Sequence, residues 1–207
     1  MVNRNHNLEI AKQNTGAKAM KIYVVDNGGQ WTHKEWKALR SLGVESEIID
    51  NDADFGQVAD ADGWVLSGGA PSITNEIPKL GKISQILDGT TVPVFGICIG
   101  AQFMALHFNG EVRASPVPEF GRTKVTFFNQ GGIFKNVPSE IIAWENHNDE
   151  ILSISSDFQV CANSKNCKVQ AFYSDKKAMF GVQFHPEVEN TQYGIEMFKS
   201  FIEYCKR

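Results

Sequence analysis

The feature that most restricts the fold of this chain is a set of very short, largely apolar runs, each closed by glycine. Lys21-Ile-Tyr-Val-Val-Asp26 runs into Asn27-Gly28-Gly29, Gly63-Trp-Val-Leu66 into Ser67-Gly68-Gly69, and Val92 to Ile97 into Cys98-Ile99-Gly100. Runs this short and without polar alternation suit strands covered on both faces, as in a parallel sheet flanked by helices. The glycines read as tight turns at the strand ends. Between the runs lie helical patterns. Gln30 to Leu42 carries Trp31, Trp36, Leu39 and Leu42 at roughly helical spacing with Gly43 as a stop, and Pro78 to Leu87 forms a second helix. Val44 to Ile49 adds a strand. The order β-α-β-β-α-β predicts an α/β fold with a mostly parallel sheet covered on both faces.

The second half changes character. Thr123–Phe128 alternates as a half-buried strand does, and Phe158–Ala162, Val169–Tyr173 and Met179–Phe184 follow, split by polar turns. These predict antiparallel strands with short connections. Tyr193 to Tyr204 closes the chain as an amphipathic helix, with Ile195, Phe198, Phe201 and Ile202 as its buried face. Residues 1–19 are polar and weakly patterned and read as a flexible leader, leaving 20–207 as a single domain. A net charge of -4 without any Lys/Arg-rich block argues against nucleic acid or an anionic membrane surface as a partner. No apolar run approaches the ~20 residues of a membrane span, and the leader lacks the apolar core of an export signal. The cytosol is therefore the expected compartment. The four cysteines, Cys98, Cys161, Cys167 and Cys205, match no metal-ligand spacing and are expected as free thiols.

Cys98 stands apart from the other three. In Gly96-Ile-Cys98-Ile-Gly100 it sits where a strand gives way to a helix, between two glycines. That is the cysteine form of a nucleophile elbow, in which glycines remove Cβ clashes around a strained central residue. The free N–H groups and dipole of the following helix favour a thiolate and can hold an oxyanion. A base is available downstream, where the strand Met179–Phe184 ends in His185-Pro186-Glu187. Proline fixes the turn, and Glu187 is close enough to orient the imidazole as the acid of a triad does. The other histidines are weaker candidates: His33 and His107 fall in helices, and His147, in Glu145-Asn-His-Asn-Asp149, reads as a loop residue that could line a site.

Gly-x-Cys-x-Gly-x-Gln followed by Gly-Val-Gln-Phe-His-Pro-Glu resembles the class I glutamine amidotransferases, with likeness from Met20 to the C-terminus. The resemblance implies a flavodoxin-like open sheet and a catalytic triad of Cys98, His185 and Glu187. It implies oxyanion donors at Gly69 and Ile99, and substrate contacts from Gly68, Gln102 and the His147, Asn148, Asp149 segment. Asp26-Asn-Gly-Gly-Gln30, Ser67-Gly-Gly69, Glu119-Phe-Gly121 and His185-Pro-Glu-Val-Glu-Asn-Thr-Gln-Tyr-Gly194 resemble the branch that serves GMP synthesis. Two positions depart from that branch: Ala70 stands where proline is usual, and Asn146-His-Asn-Asp149 replaces Ser-His-Gly-Asp. No Ser-Gly-Gly-x-Asp-Ser phosphate loop is present. The resemblance therefore implies a glutaminase subunit, without metal or organic cofactor of its own, that hydrolyses glutamine and feeds ammonia to a separate ATP-pyrophosphatase subunit carrying ATP and Mg. Alternatives from the same residues are the glutaminase of another amidotransferase complex, a partner-independent γ-glutamyl cysteine hydrolase, and a non-catalytic α/β module.

Overall fold

The computed structural model describes residues 19–58 and 60–207, so the expected leader lies, apart from Ala19, outside the described residues. The elements run β1 (Lys21–Asp26), α1 (Thr32–Ser41), β2 (Glu45–Asp50), β3 (Gly63–Leu66), α2 (Ile83–Gly89), β4 (Val94–Ile97), α3 (Ile99–His107), β5 (Glu111–Phe127), β6 (Glu140–Ser153), β7 (Gln159–Asn163), β8 (Ala171–Ser174), β9 (Met179–Val182) and α4 (Gly194–Cys205). One nine-stranded sheet joins them in the order β2-β1-β3-β4-β9-β8-β7-β5-β6. The pairs from β2 to β9 are parallel. The pairs from β9 to β6 are antiparallel. The change of character halfway along the sequence is thus a change of pairing mode within one sheet.

Strand alternation sends side chains to two cores. Ile22 and Val24 of β1 join Leu39 of α1 and Phe198 and Phe201 of α4 on one face. Tyr23 and Val25 join Ile83 and Leu87 of α2 and Met104 of α3 on the other. Helix α1 ends as its glycine predicts. Gly43 takes φ +82°, its N–H reaches Arg40 O at 3.1 Å, and Val44 N–H reaches Leu39 O at 3.2 Å. This paired closure satisfies the last carbonyls, and the apolar Val44 and Leu39 share the core beside it.

Three expectations are corrected. The predicted helix from Pro78 is broken at Gly81, where φ is +58°, into a 3₁₀ turn at Ile77–Leu80 and α2. In α4, Ile195 is exposed and Met197 takes its place in the core, because Met197, Phe198, Phe201 and Ile202 form the tighter stripe. The segment around His147 is no loop: it lies inside the 14-residue strand β6. The inward positions of β6 are Ile141, Ala143, Glu145, His147 and Asp149, so hydrophobic alternation fades halfway along while the geometric alternation continues.

Residues with chemical potential gather where ligands bind in open α/β sheets, at the carboxyl ends of the parallel strands. Asn27 follows β1, Ser67–Gly69 follow β3, Cys98 follows β4 and His185 lies just beyond β9.

Candidate active site

Cys98 joins β4 to α3 with φ 50° and ψ -109°, a conformation that costs a non-glycine residue about 1–3 kcal/mol. The flanking glycines make it possible. A Cβ at Gly96 would lie 2.9 Å from Ala101 N, and one at Gly100 would lie 2.3 Å from Leu66 O. The bend is held by Cys98 N–H donating to Val182 O at 2.8 Å, which ties the elbow to β9. Gln183, just past β9, offers its side-chain N–H to the Cys98 sulfur at 3.8 Å.

The second strand end supplies the base. His185 Nδ1 bonds Glu187 Oε1 at 2.7 Å, and the pair is buried. Burial disfavours the charged ring, yet the Glu187 carboxylate and the Cys98 sulfur together hold its pKa well above the usual histidine value. With Nδ1 engaged, Nε2 has no fixed hydrogen-bond partner among the described residues and is the nitrogen left to react beside the Cys98 sulfur. Trp31 packs edge-on against the ring at 4.5 Å between centroids. The turn carrying the couple is clamped from behind. His185 N–H donates to Trp144 O at 2.9 Å, and Thr191 Oγ1 donates to His185 O at 2.6 Å while accepting from Trp144 N–H at 2.9 Å. Gly194 is required here, since a Cβ would sit 1.9 Å from Pro186 O.

The predicted oxyanion donors meet across this site. A Cβ on Gly69 would fall 2.9 Å from Ile99 Cγ2, so the loop after β3 lies against the first residue of α3. Neither Gly69 N–H nor Ile99 N–H finds an acceptor among the described residues. A cavity of about 90 Å³ is lined by Gly69, Cys98, Ile99, Gln102 and residues 146–149. A larger one, about 330 Å³, opens on His185, Glu187, Trp31 and Glu35. Gly69, Ala70 and Asn146 border both.

Several predicted substrate contacts turn out to be committed within the protein. Gly68 N–H donates to Glu35 Oε1 at 3.1 Å and its carbonyl accepts from the Ser67 hydroxyl at 2.8 Å, so both backbone polar groups of Gly68 are taken within the protein. Gln102 gives its side-chain nitrogen to Asp149 O at 2.7 Å and to Gln183 Oε1 at 3.2 Å. The Asp149 carboxylate holds the loop after Gly69, accepting from the Ser72 hydroxyl at 2.9 Å and Ile73 N–H at 3.1 Å. Asn148 is exposed at the cavity edge.

His147 is enclosed rather than presented. Its Nδ1 lies 2.9 Å from Asp149 O, and Nε2 stands 3.4 Å from Glu119 Oε2 and 3.3 Å from Glu145 Oε2. Burial opposes the charge, but the two carboxylates raise the imidazole pKa to about 10. Glu119 faces His147 because β5 pairs the two residues directly, and it is further bonded by Ser164 and Gln170. The three ligand atoms lie within 4.8 Å, a spacing a metal ion could bridge. An imidazolium at the centre already balances part of the buried negative charge, which is the reading the two ion pairs favour.

Trp31 and Glu35 carry no motif that marks them as site residues, while Gln183 and Thr191 lie within the His185–Glu187 motifs without a role assigned to them there. Glu35 does carry a usable signal: it lies four residues from both Trp31 and Leu39, on the apolar stripe of α1. A charged residue on a buried stripe calls for a partner.

Comparison with known proteins identifies the family. Residues 23–204 match the family Glutamine amidotransferase class-I. A glutamine-hydrolyzing GMP synthase subunit of Thermoplasma volcanium is 54% identical over 188 residues, covering 91% of this chain and 93% of its own. The protein of the same name from Picrophilus torridus is also 54% identical, covering 91% and 100%. A crystal structure from Thermoplasma acidophilum, provisionally classed as a GMP synthase subunit, is 51% identical and superposes with a TM-score of 0.88 over 92% of this chain and 96% of that one. A glutamine amidotransferase from Thermotoga maritima shares the fold at 19% identity, with a TM-score of 0.71 over 92% of this chain and 84% of its own. The chain belongs to the class I glutamine amidotransferases.

Proposed function

We propose that this protein is the glutaminase subunit of a two-subunit GMP synthase. The reading rests above all on one arrangement: a strained cysteine at a strand–helix elbow, facing a buried His185–Glu187 couple whose outer nitrogen is free. Glutamine enters the cavity beside Cys98. The sulfur attacks the side-chain amide carbon, and the carbonyl oxygen becomes an oxyanion received by Gly69 and Ile99 N–H groups. His185 gives a proton from Nε2 to the amide nitrogen as the C–N bond breaks, releasing ammonia and leaving a glutamyl thioester on Cys98. His185 then takes a proton from water, hydroxide displaces the sulfur, and glutamate leaves. Glu187 keeps the ring oriented and supports its charge in both halves.

The acceptor is assigned from the relatives. Their names specify one subunit of a glutamine-hydrolyzing GMP synthase, and this chain covers nearly their whole length. On that basis the ammonia passes to adenylated XMP on a separate ATP-pyrophosphatase subunit, which binds ATP and Mg, and the complex works in the cytoplasm. Among the described residues no helix is long and apolar enough to cross a membrane.

The test combines this chain with an ATP-pyrophosphatase subunit, XMP, ATP and Mg. Glutamine-dependent GMP formation is expected from the parent protein, with Cys98→Ala losing that activity and retaining synthesis from added ammonia. Equal glutamine-dependent synthesis by Cys98→Ala would sink the proposal.

A further inference from the structure

Glu35 is fully buried in the middle of α1, directly behind the triad. Its Oε1 accepts the Gly68 N–H at 3.1 Å, and its Oε2 is buried without a hydrogen-bond partner among the described residues. The acceptor end of the same Gly68 peptide unit is also fixed, since Asn27 Nδ2 donates to Ser67 O at 2.8 Å. On the next unit, Gly68 O accepts the Ser67 hydroxyl at 2.8 Å. That carbonyl and the Gly69 N–H belong to one plane, so anchoring it inward directs the Gly69 N–H the opposite way. Gly68 also touches the base, as a Cβ there would lie 2.9 Å from His185 Cε1.

We propose that Glu35 is a positioning residue that anchors the loop after β3, so that the Gly69 N–H is presented to the oxyanion formed at Cys98. The inference rests on the glutaminase reading. Burial, followed by the neighbouring Glu187 carboxylate, pushes the Glu35 carboxyl well above the usual range, which favours the neutral acid. The group thus accepts the Gly68 N–H without setting a second full negative charge beside Glu187. A glutamine side chain has the same shape and a carbonyl oxygen in the same place. A leucine has neither acceptor nor charge.

The experiment compares the parent with Glu35→Gln and Glu35→Leu, each as the full chain with the synthetase subunit present, by steady-state glutamate release. Alkylation of Cys98 by iodoacetamide is measured in parallel. It reports the sulfur and His185 but forms no oxyanion. Loss of one oxyanion donor lowers kcat about 10²–10³-fold, so a misdirected donor is expected to lower it about 10- to 100-fold in Glu35→Leu with KM nearly unchanged. Alkylation should stay within about twofold, and Glu35→Gln should keep near-parent kcat. If Glu35→Leu fails to fold, Glu35→Met is substituted with the same expectations. A folded apolar variant with parent kcat overturns the inference alone. So does a fall in alkylation that matches the fall in kcat, or a Glu35→Gln variant as impaired as Glu35→Leu. Absence of Cys98-dependent glutamate release from the parent overturns the glutaminase reading, and this inference with it.

Discussion

Two buried histidines with carboxylate neighbours lie close to Cys98, and they are built for opposite ends. His185 has one carboxylate, Glu187, on Nδ1 at 2.7 Å, and its Nε2 is left open. His147 has a backbone carbonyl on Nδ1 and two carboxylates around Nε2. Both rings are favoured as cations. What differs is the company of the second nitrogen: His147 Nε2 faces two carboxylates, whereas the side chain that acts on His185 apart from Glu187 is Cys98, whose sulfur is the reacting atom. His147 is enclosed by its counter-charges and acts as a rivet between β5 and β6. A perturbed titration therefore does not single out the acid–base group here. The neighbour of the second ring nitrogen does.

The comparison predicts different failures. The largest effect belongs to His185→Asn, which keeps a polar group at the turn but removes the proton carrier. Glutamate release should fall about 10⁴-fold in protein that is still folded without urea, and the loss of the cation beside buried Glu187 should lower the urea midpoint as well. A variant that kept substantial activity would erase the distinction between the two rings. Next comes His147→Gln, which leaves Glu119 and Glu145 facing each other in the interior. Breaking such a buried charge pair costs about 3–5 kcal/mol of stability, measurable as a lower urea midpoint.

The same variant sharpens the comparison through pH. The His147 pKa is raised from 6.5 to about 10 in the folded protein. Its stabilisation is thus complete below the lower value and is lost as pH rises through the upper one. Urea titrations between pH 7 and 10.5 should show the parent losing more stability than His147→Gln. Parallel curves would argue that the ring is neutral.

The smallest effect is expected from Thr191→Val, which removes the hydroxyl bridging His185 O and Trp144 N–H. Leaving buried groups unpaired costs about 1–3 kcal/mol in stability. The His185–Glu187 contact is local to the turn, so kcat should change less than tenfold. A collapse of kcat at parent stability would show that the turn depends on Thr191 for its catalytic shape.

Most of the parallel half was readable because β1, β3 and β4 are largely apolar on both faces and run into glycine-containing turns. β1 and β3 occupy the ranges their residues predict. The elbow and the His-x-Glu turn were equally legible, since Gly96, Gly100 and Pro186 leave backbone signatures in the sequence. Strand β6 was only half legible. Its inward face passes from Ile141 and Ala143 to Glu145, His147 and Asp149, which read as polar loop until β5 supplies their partners. Gln102 and Gly68 matched a motif, but the motif could not say which of their polar groups were already taken.

The amino-acid sequence by itself determined the alternation of strand and helix, the bend at Cys98 and the identity of the imidazole–carboxylate turn, because steric limits on glycine, proline and apolar runs act within a few residues. Tertiary structure alone decided which histidine faces carboxylates and which faces the Cys98 sulfur, and where Glu35 points. Those outcomes depend on hydrogen bonds between residues dozens of positions apart, and a buried polar group takes whatever partner the packing brings to it.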